Sequence, residues 1–320
     1  MKYLVYILRY FVGIVFVFSG FVKLVDPLGS AYKFEEYFAK DVLNLEALIP
    51  YALPFSVLLI TFELVLGVAL IIGFRPKLTT WLVVLISAFF LFLTGYSAIY
   101  DKVTDCGCFG DAITLTPWET FYKNIVLMIM AIILLWKHFD IIPWFGVFYS
   151  KWIPFGVMMV SLYISYHVLM HLPLIDFRPY AVGKDIRLGM ETFGPDDVPL
   201  VHDFALDSPT EDLTEELLDA EKVVFFVAYD MNISDENGFV ISRLVGEEAL
   251  AKGYRVYGLT ASSDKAIIEV KERFDLPFDF LACDGTTLKT IIRANPGILV
   301  LNKGVVVAKA SWRDYEKIKL

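Results

Sequence analysis

Cysteine and histidine are scarce in this chain, which holds 3 Cys and 4 His in 320 residues. The histidines are not spaced as metal ligands are, and two nearby cysteines without a histidine make a poor metal site, so we predict no bound metal. The sequence also lacks a basic block, an internal repeat and a low-complexity tract. The missing basic block argues against a nucleic-acid partner.

Apolar residues are abundant: 57% of the chain is hydrophobic, too much for an ordinary soluble protein. Through Met170 there are 11 basic and 11 acidic residues, whereas from His171 onward there are 17 and 26. The whole net charge of -9 therefore lies in the C-terminal part. This asymmetry predicts a portion that lies in a lipid bilayer, followed by a portion that lies in water.

Five apolar runs are long enough to cross a bilayer: 3–25, 53–72, 78–99, 121–136 and 153–170. The first run could be a signal peptide. Its length, its Arg9 and the lack of a small-x-small cleavage site at 19–23 favour a retained helix. The more polar segment 29–50 is either a helix lying in the membrane interface or an ordered loop.

The positive-inside rule orients these spans. With the N-terminus inside, the inner segments carry Lys2, Arg75, Lys77, Lys137 and Lys151. The loop between the third and fourth spans then faces outward, and so does everything after the fifth span. Both would lie in an oxidising compartment, where a disulfide can persist.

That outward loop reads Asp105-Cys106-Gly107-Cys108-Phe109-Gly110-Asp111 and holds two of the three cysteines. Cys106 and Cys108 are our candidate redox pair, because a Cys-x-Cys disulfide closes a small, strained ring that is easily reduced. A static disulfide and a coincidental tight turn are the alternatives. Cys283 stands alone, and a lone cysteine is more often a buried apolar residue than a partner for the loop.

Glu63 lies in the middle of the second span, where a carboxyl group is costly. We expect it to face the bundle interior, either as a functional carboxyl group or as a hydrogen-bonding group that fixes helix packing. Lys23 could reach toward it. Because Lys23 lies at a helix end, we expect it instead to extend its amine to the membrane interface.

Past residue 200 the pattern becomes that of a soluble α/β domain. Strands are predicted at 222–229, 254–260, 277–282, 297–301 and 305–310, and helices at 236–252, 264–274, 286–293 and 313–319. Strands that alternate with helices and end in a hairpin predict a mixed sheet with helices packed on it.

Two resemblances follow from these residues. The first four spans resemble the DoxX/MauE group of bacterial membrane proteins. The carriers of this resemblance are Gly13, Phe16, Ser19, Gly20, Lys23, Glu63, Gly67 and the loop Cys106–Asp111. The group is associated with thiol and oxidative-stress functions, although its chemistry is not uniform. The resemblance implies a bacterial inner-membrane protein with a periplasmic C-terminal domain.

The second resemblance covers residues from about 201 to the end, which look like a thioredoxin-like domain. Its carriers are the strand Val223–Ala228 and the step Asn295-Pro296-Gly297, where that fold keeps a cis-proline. Where the family has Cys-x-x-Cys, this chain reads Met231-Asn232-Ile233-Ser234, so dithiol exchange cannot occur there.

The predicted organisation is a DoxX/MauE-like four-helix transmembrane bundle at 1–140, a fifth span at 141–170, a connector at 171–200 and a degenerate thioredoxin-like domain at 201–320. The predicted function is thiol–disulfide or quinone-linked redox chemistry through the outward Cys-x-Cys loop, with an extracytoplasmic thiol–disulfide protein as partner. Quinone is the one cofactor that we consider. The alternative is a non-enzymatic membrane scaffold that presents a thioredoxin-like partner-binding domain, so the sequence leaves enzymatic activity open.

Overall fold

The computed structural model describes residues 2–100, 102–103, 115–192 and 199–320, without the side chains of 147 and 148. The chain divides into two compact units, residues 1–168 and 169–320.

The first unit is built from helices. They are α1 (Lys2–Val25), α2 (Pro27–Phe38), α3 (Ala52–Ile72), α4 (Pro76–Tyr100), α5 (Pro117–Trp136), α6 (Val147–Ser150) and α7 (Trp152–Met170). Among the described residues, five of these have the length and apolar composition to cross a membrane: α1, α3, α4, α5 and α7. They confirm the five predicted spans, and the chain is a multi-pass membrane protein.

Local chemistry places the helix ends. Thr116 and Glu119 form a capping box at the start of α5, as their spacing predicts. Helix α3 ends at Gly73, which adopts a left-handed conformation with φ of 72°. Most of the segment 29–50 is helical: it contains much of α2, whose N-terminus Asp26 caps, and most of a 3₁₀ helix at Glu46–Tyr51.

The second unit is a mixed sheet with helices. Its elements are α8 (Ile186–Met190), α9 (Thr214–Asp219), β1 (Val223–Val227), α10 (Glu236–Ala251), β2 (Arg255–Thr260), α11 (Asp264–Phe274), β3 (Asp279–Ala282), α12 (Gly285–Ile291), β4 (Gly297–Asn302) and β5 (Val305–Ser311). The five strands share one sheet in the order β3-β2-β1-β4-β5. The strands β1, β2 and β3 run parallel, whereas β4 is antiparallel to both β1 and β5.

The five strands and helices α10, α11 and α12 match the predicted ones to within two residues at each end. Helices α8 and α9 were not predicted, and the last predicted helix is a 3₁₀ helix at Trp312–Lys317. The predicted cis peptide at Asn295–Pro296 is present. Strand β1 is buried on both faces, as expected for the centre of a sheet.

Segments outside the strands cover both edges of this sheet. On one edge, Gly183 N donates to Val306 O at 2.8 Å, and Val306 N donates to Lys184 O at 2.9 Å. On the other, Asp207 and Ala282 exchange two backbone hydrogen bonds of 2.8 and 3.0 Å. These contacts occupy part of each edge and so hinder its pairing with another strand.

Candidate functional site

The candidate site of the first unit depends on a close approach of α1 to α3. A Cβ added at Gly67 would lie 2.9 Å from both Gly13 O and Val17 N, so no larger residue fits there without moving a helix backbone. Small residues allow membrane helices to pack at this short distance. The approach brings the polar residues in the last turns of α1 against the middle of α3.

Three polar side chains meet at this contact and form what we call the Lys23–Glu63 cluster: Ser19, Lys23 and Glu63. The Lys23 Nζ lies 2.6 Å from Glu63 Oε2 and donates to Ser19 Oγ at 2.9 Å. The Ser19 hydroxyl in turn donates to Glu63 Oε1 at 2.9 Å. The exposed fractions of the Lys23 and Glu63 side chains are only 7% and 3%. Each group thus compensates another that would be costly to bury alone.

Helix α4 supplies the opposite wall of the cluster. The Lys23 ammonium lies 4.6 Å from the centre of the Phe90 ring, a distance at which the ring face attracts a cation. One turn earlier, Ser87 is buried, and its hydroxyl has no hydrogen-bond partner among the described residues.

Helix α5 closes the site. Asn124 Nδ2 donates to Thr94 Oγ1 at 3.2 Å and so joins α5 to α4. Between these helices and the Lys23–Glu63 cluster lies a cavity of about 20 Å³, lined by Val15, Phe16, Ser19, Lys23, Glu63, Ser87, Phe90, Lys123, Asn124 and Leu127. We call it the inner cavity. Its polar lining can bind a small hydrogen-bonding molecule.

The geometry corrects one prediction and refines another. Lys23 does not extend to the membrane interface, because it is buried and paired with Glu63. The sequence shows that Lys23 lies at a helix end, but it does not show that α3 presents Glu63 to that end. Glu63 faces the bundle interior and is hydrogen-bonded to a neighbouring helix, as expected.

Cys106 and Cys108 lie outside the described residues. Their segment joins α4, which ends at Tyr100, to α5, which begins at Pro117. These are the two helices that line the inner cavity with Ser87 and Asn124.

Arg9 is a buried residue whose role the sequence argument missed. Its guanidinium donates to three backbone oxygens: Leu70 O at 2.8 Å, Ile71 O at 2.5 Å and Ile142 O at 2.8 Å. It therefore caps the C-terminal end of α3, where carbonyl groups lack helical partners. A cation within an apolar span is itself the signal that could have indicated such a role.

In the second unit, the segment Met231–Ser234 takes part in a network of hydrogen bonds. Ser234 Oγ donates to Asn295 Oδ1 at 2.8 Å, and Asn295 Nδ2 donates to Asp230 O at 2.8 Å. Met231 is buried in the apolar core, and its N–H donates to Ser262 Oγ at 3.0 Å. Hydrogen bonds to Asn295 therefore join this loop to the cis-proline segment, and none of them involves a thiol.

Cys283 is a buried cysteine beside β3 that forms no disulfide within the part of the chain that the structure describes. Burial, together with the neighbouring Asp284 carboxylate, raises the pKa of Cys283 to about 12. A thiol of this kind is protonated at neutral pH and therefore a poor nucleophile. This agrees with the expectation that Cys283 is a small apolar residue.

A second buried ionic cluster was not anticipated from the sequence. Asp176 accepts from Arg178 Nε at 2.7 Å and from Lys309 Nζ at 2.7 Å. Burial alone would raise the pKa of Asp176, but Arg178 and Lys309 outweigh it and hold that pKa below its usual range. Burial and the nearby Arg178 lower the pKa of Lys309 to about 7, because one carboxylate cannot compensate two buried cations.

Comparison with known proteins finds one family model and one curated relative. Residues 1–137 match the family model described as Methylamine utilisation protein MauE. Among curated proteins, Protein TlpB of Flavobacterium psychrophilum is 28% identical over 142 residues, which is 42% of this chain and 36% of that protein. The match thus spans about a third of that relative. No solved structure matches. Residues 1–137 are thus similar to the MauE family model, and the five long apolar helices indicate a multi-pass membrane protein.

Proposed function

We propose that this protein carries out thiol–disulfide chemistry at a membrane, with Cys106 and Cys108 as the redox pair. The observation that carries the proposal is the polar, buried Lys23–Glu63 cluster beside helices α4 and α5. The segment with both cysteines joins these two helices. The similarity of residues 1–137 to a MauE family model is consistent with this assignment.

The pair passes two electrons between an outer partner and a carrier in the membrane. When the two thiols are oxidised to a disulfide, they release two electrons and two protons. A quinone is the acceptor class that we propose, because it takes up two electrons and two protons to become a quinol. In this direction a reduced dithiol of an extracytoplasmic protein returns the pair to thiols and itself becomes a disulfide. In the opposite direction a quinol reduces the pair, which then reduces a disulfide-bonded extracytoplasmic protein.

The proposed topology places the N-terminus in the cytoplasm and residues after α7 in the periplasm of a bacterial inner membrane. The distribution of Lys and Arg between the predicted loops supports it. Protease added to the outside of sealed spheroplasts should then cut within the second unit.

Thiol trapping in intact cells tests the redox proposal. Cys106 and Cys108 should change together from labelled to protected when an external oxidant is added, and a Cys283→Ser variant should respond in the same way. Cys106→Ser or Cys108→Ser should abolish the response. A pair that stays protected under external reductant would indicate a static disulfide and overturn the proposal.

The second candidate function is a membrane scaffold whose outer domain binds a partner without chemistry. We propose residues 201–320 as a thioredoxin-like domain. The strand order and the cis Asn295–Pro296 bond support this assignment. The thiol-free loop Met231–Ser234 favours partner binding over catalysis for this domain. If Cys106→Ser leaves the cellular thiol–disulfide balance intact while loss of residues 201–320 removes a bound protein, the scaffold function is the right one.

A further inference from the structure

A second cavity lies next to the inner cavity in the first unit. It has a volume of about 30 Å³ and is lined by Lys23, Ser30, Lys33, Phe34, Tyr37, Leu59, Ile60, Phe90, Leu93 and Thr94. We call it the outer cavity, because α2 contributes part of its wall, including the partly exposed Lys33. Lys23 and Phe90 line both cavities, so the Lys23 ammonium lies where the two meet.

Both cavities suit water. A water molecule needs roughly 10–15 Å³ of accessible space and two to four polar partners. The inner cavity offers Ser19, Glu63, Ser87 and Asn124, and each cavity is larger than that minimum. Ser87 is 5% exposed and lines the inner cavity, and its buried hydroxyl has no hydrogen-bond partner among the described residues. A buried, unsatisfied hydroxyl in such a place indicates a bound hydrogen-bonding molecule.

The two cavities are also connected by protein groups. Asn124 of the inner cavity donates to Thr94 of the outer cavity at 3.2 Å. Lys23, which is paired with Glu63, also lines the outer cavity together with Ser30, Lys33 and Thr94.

We propose that the Lys23–Glu63 cluster is a proton-exchange site, connected by water in the two cavities to the aqueous face beside α2. The site takes protons as its ligand: a water molecule accepts a proton from the Lys23 ammonium and passes it outward, and a proton returns by the same route. No electron moves in this step. The inference goes beyond the proposed redox function, because it requires neither cysteine.

The charged groups around the cluster are compatible with this role. Of the described residues that line the cavities, the other titratable ones are Lys33 and Tyr37 on α2 and Lys123 on α5. Lys33 is paired with Glu36 at 3.1 Å. Helix α4 contributes hydroxyl and apolar groups to these walls, and α7 packs nearby through the apolar Val157 and Ile164.

Infrared spectroscopy of the full chain in lipid nanodiscs tests the proposal. The bands of the cluster are assigned by their loss in Lys23→Met and Glu63→Gln, and their deuterium exchange is followed after transfer to D₂O. In the wild-type protein these bands should exchange with the fast, solvent-accessible peptide amides. Exchange only with the slow amides of the helix interiors would overturn the proposal.

Variants that fill the two cavities with larger side chains provide a second test. Thr94→Leu should slow exchange of the cluster by about tenfold or more, because exchange would then require local opening of the helices. Ser87→Leu should displace water from the inner cavity and also slow exchange. Ser165→Leu is the matched control, since Ser165 is likewise a buried serine without a described partner but lines neither cavity. Equal rates in Thr94→Leu and Ser165→Leu would refute the route.

One more variant distinguishes the proton-exchange proposal from the redox proposal. The double variant Cys106→Ser/Cys108→Ser should lose the thiol response and keep the exchange rate of the cluster. That result would agree with both the redox proposal and the proton-exchange proposal. A change of exchange in that variant would overturn the claim that the site works without the cysteines.

Discussion

Replacing Lys23 with Met removes one partner of a buried ion pair and leaves its space filled by a side chain of similar length. Glu63 would keep its hydrogen bond from Ser19 but lose the 2.6 Å contact with the ammonium. Both side chains are more than nine-tenths buried, so water cannot fully replace the missing partner. Removing one member of a buried pair typically costs about 3–5 kcal/mol. We expect Lys23→Met to destabilise the protein by an amount in this range.

The double variant Lys23→Met/Glu63→Gln should recover most of that loss. Neither charge then remains, and a glutamine can keep a hydrogen bond with Ser19. Replacing a buried pair as a whole is often neutral or stabilising, whereas breaking it is not. A double-mutant cycle therefore isolates the interaction between the two side chains.

The assay is the free energy of unfolding in mixed detergent micelles, followed by loss of helical circular dichroism. Lys33→Met is the matched control, because Lys33 pairs with Glu36 at 3.1 Å on an exposed surface. A surface pair of this kind contributes about 0–1 kcal/mol. If Lys23→Met were no more harmful than Lys33→Met, or if the double variant were as unstable as the single one, the assigned burial and pairing would be wrong.

Three further outcomes are expected. Gly67→Ala should lower the thermal midpoint of the detergent-solubilised protein, because the added Cβ would meet the backbone of α1. Gly156→Ala should not lower it, because a Cβ added at Gly156 has open space around it. Equal effects of the two variants would contradict the close approach of α1 to α3. Cys283 should resist alkylation at pH 8 in the folded protein and react fully once the protein is denatured, since its pKa is about 12. Folded Lys309 loses its proton near pH 7 and unfolded Lys309 near 10.5, so unfolding takes up a proton between these values. Stability should therefore rise with pH across that window by up to roughly 1.4 kcal/mol per pH unit, and Lys309→Met should abolish this contribution; an unchanged pH profile of the thermal midpoint would refute it.

The positions of helices and strands could be predicted because they depend on local pattern. The five spans follow from apolar runs that match the thickness of a bilayer. The start of α5 follows from the spacing of Thr116 and Glu119, which bond to each other within one helical turn. The strands of the second unit follow from short apolar stretches bounded by turn residues.

Only part of the candidate site could be predicted from the local sequence pattern. Glu63 was identified because a carboxyl group inside an apolar run is costly wherever the helix packs. Its pairing with Lys23 was considered but not preferred, because a single sequence does not say which face of α1 meets α3. Gly13 and Gly67 determine that contact, yet their effect appears only when the two backbones are placed together.

The sequence alone therefore determined that this is a membrane chain with five spans, followed by an α/β unit that has no Cys-x-x-Cys. The tertiary structure decided which buried charges meet. Lys23 and Glu63 are 40 residues apart, and Lys309 and Asp176 are 133 residues apart. Packed helices or strands bring such distant residues together and exclude water around them, so a buried charge needs a partner there. A local sequence pattern does not show which residues will be brought together.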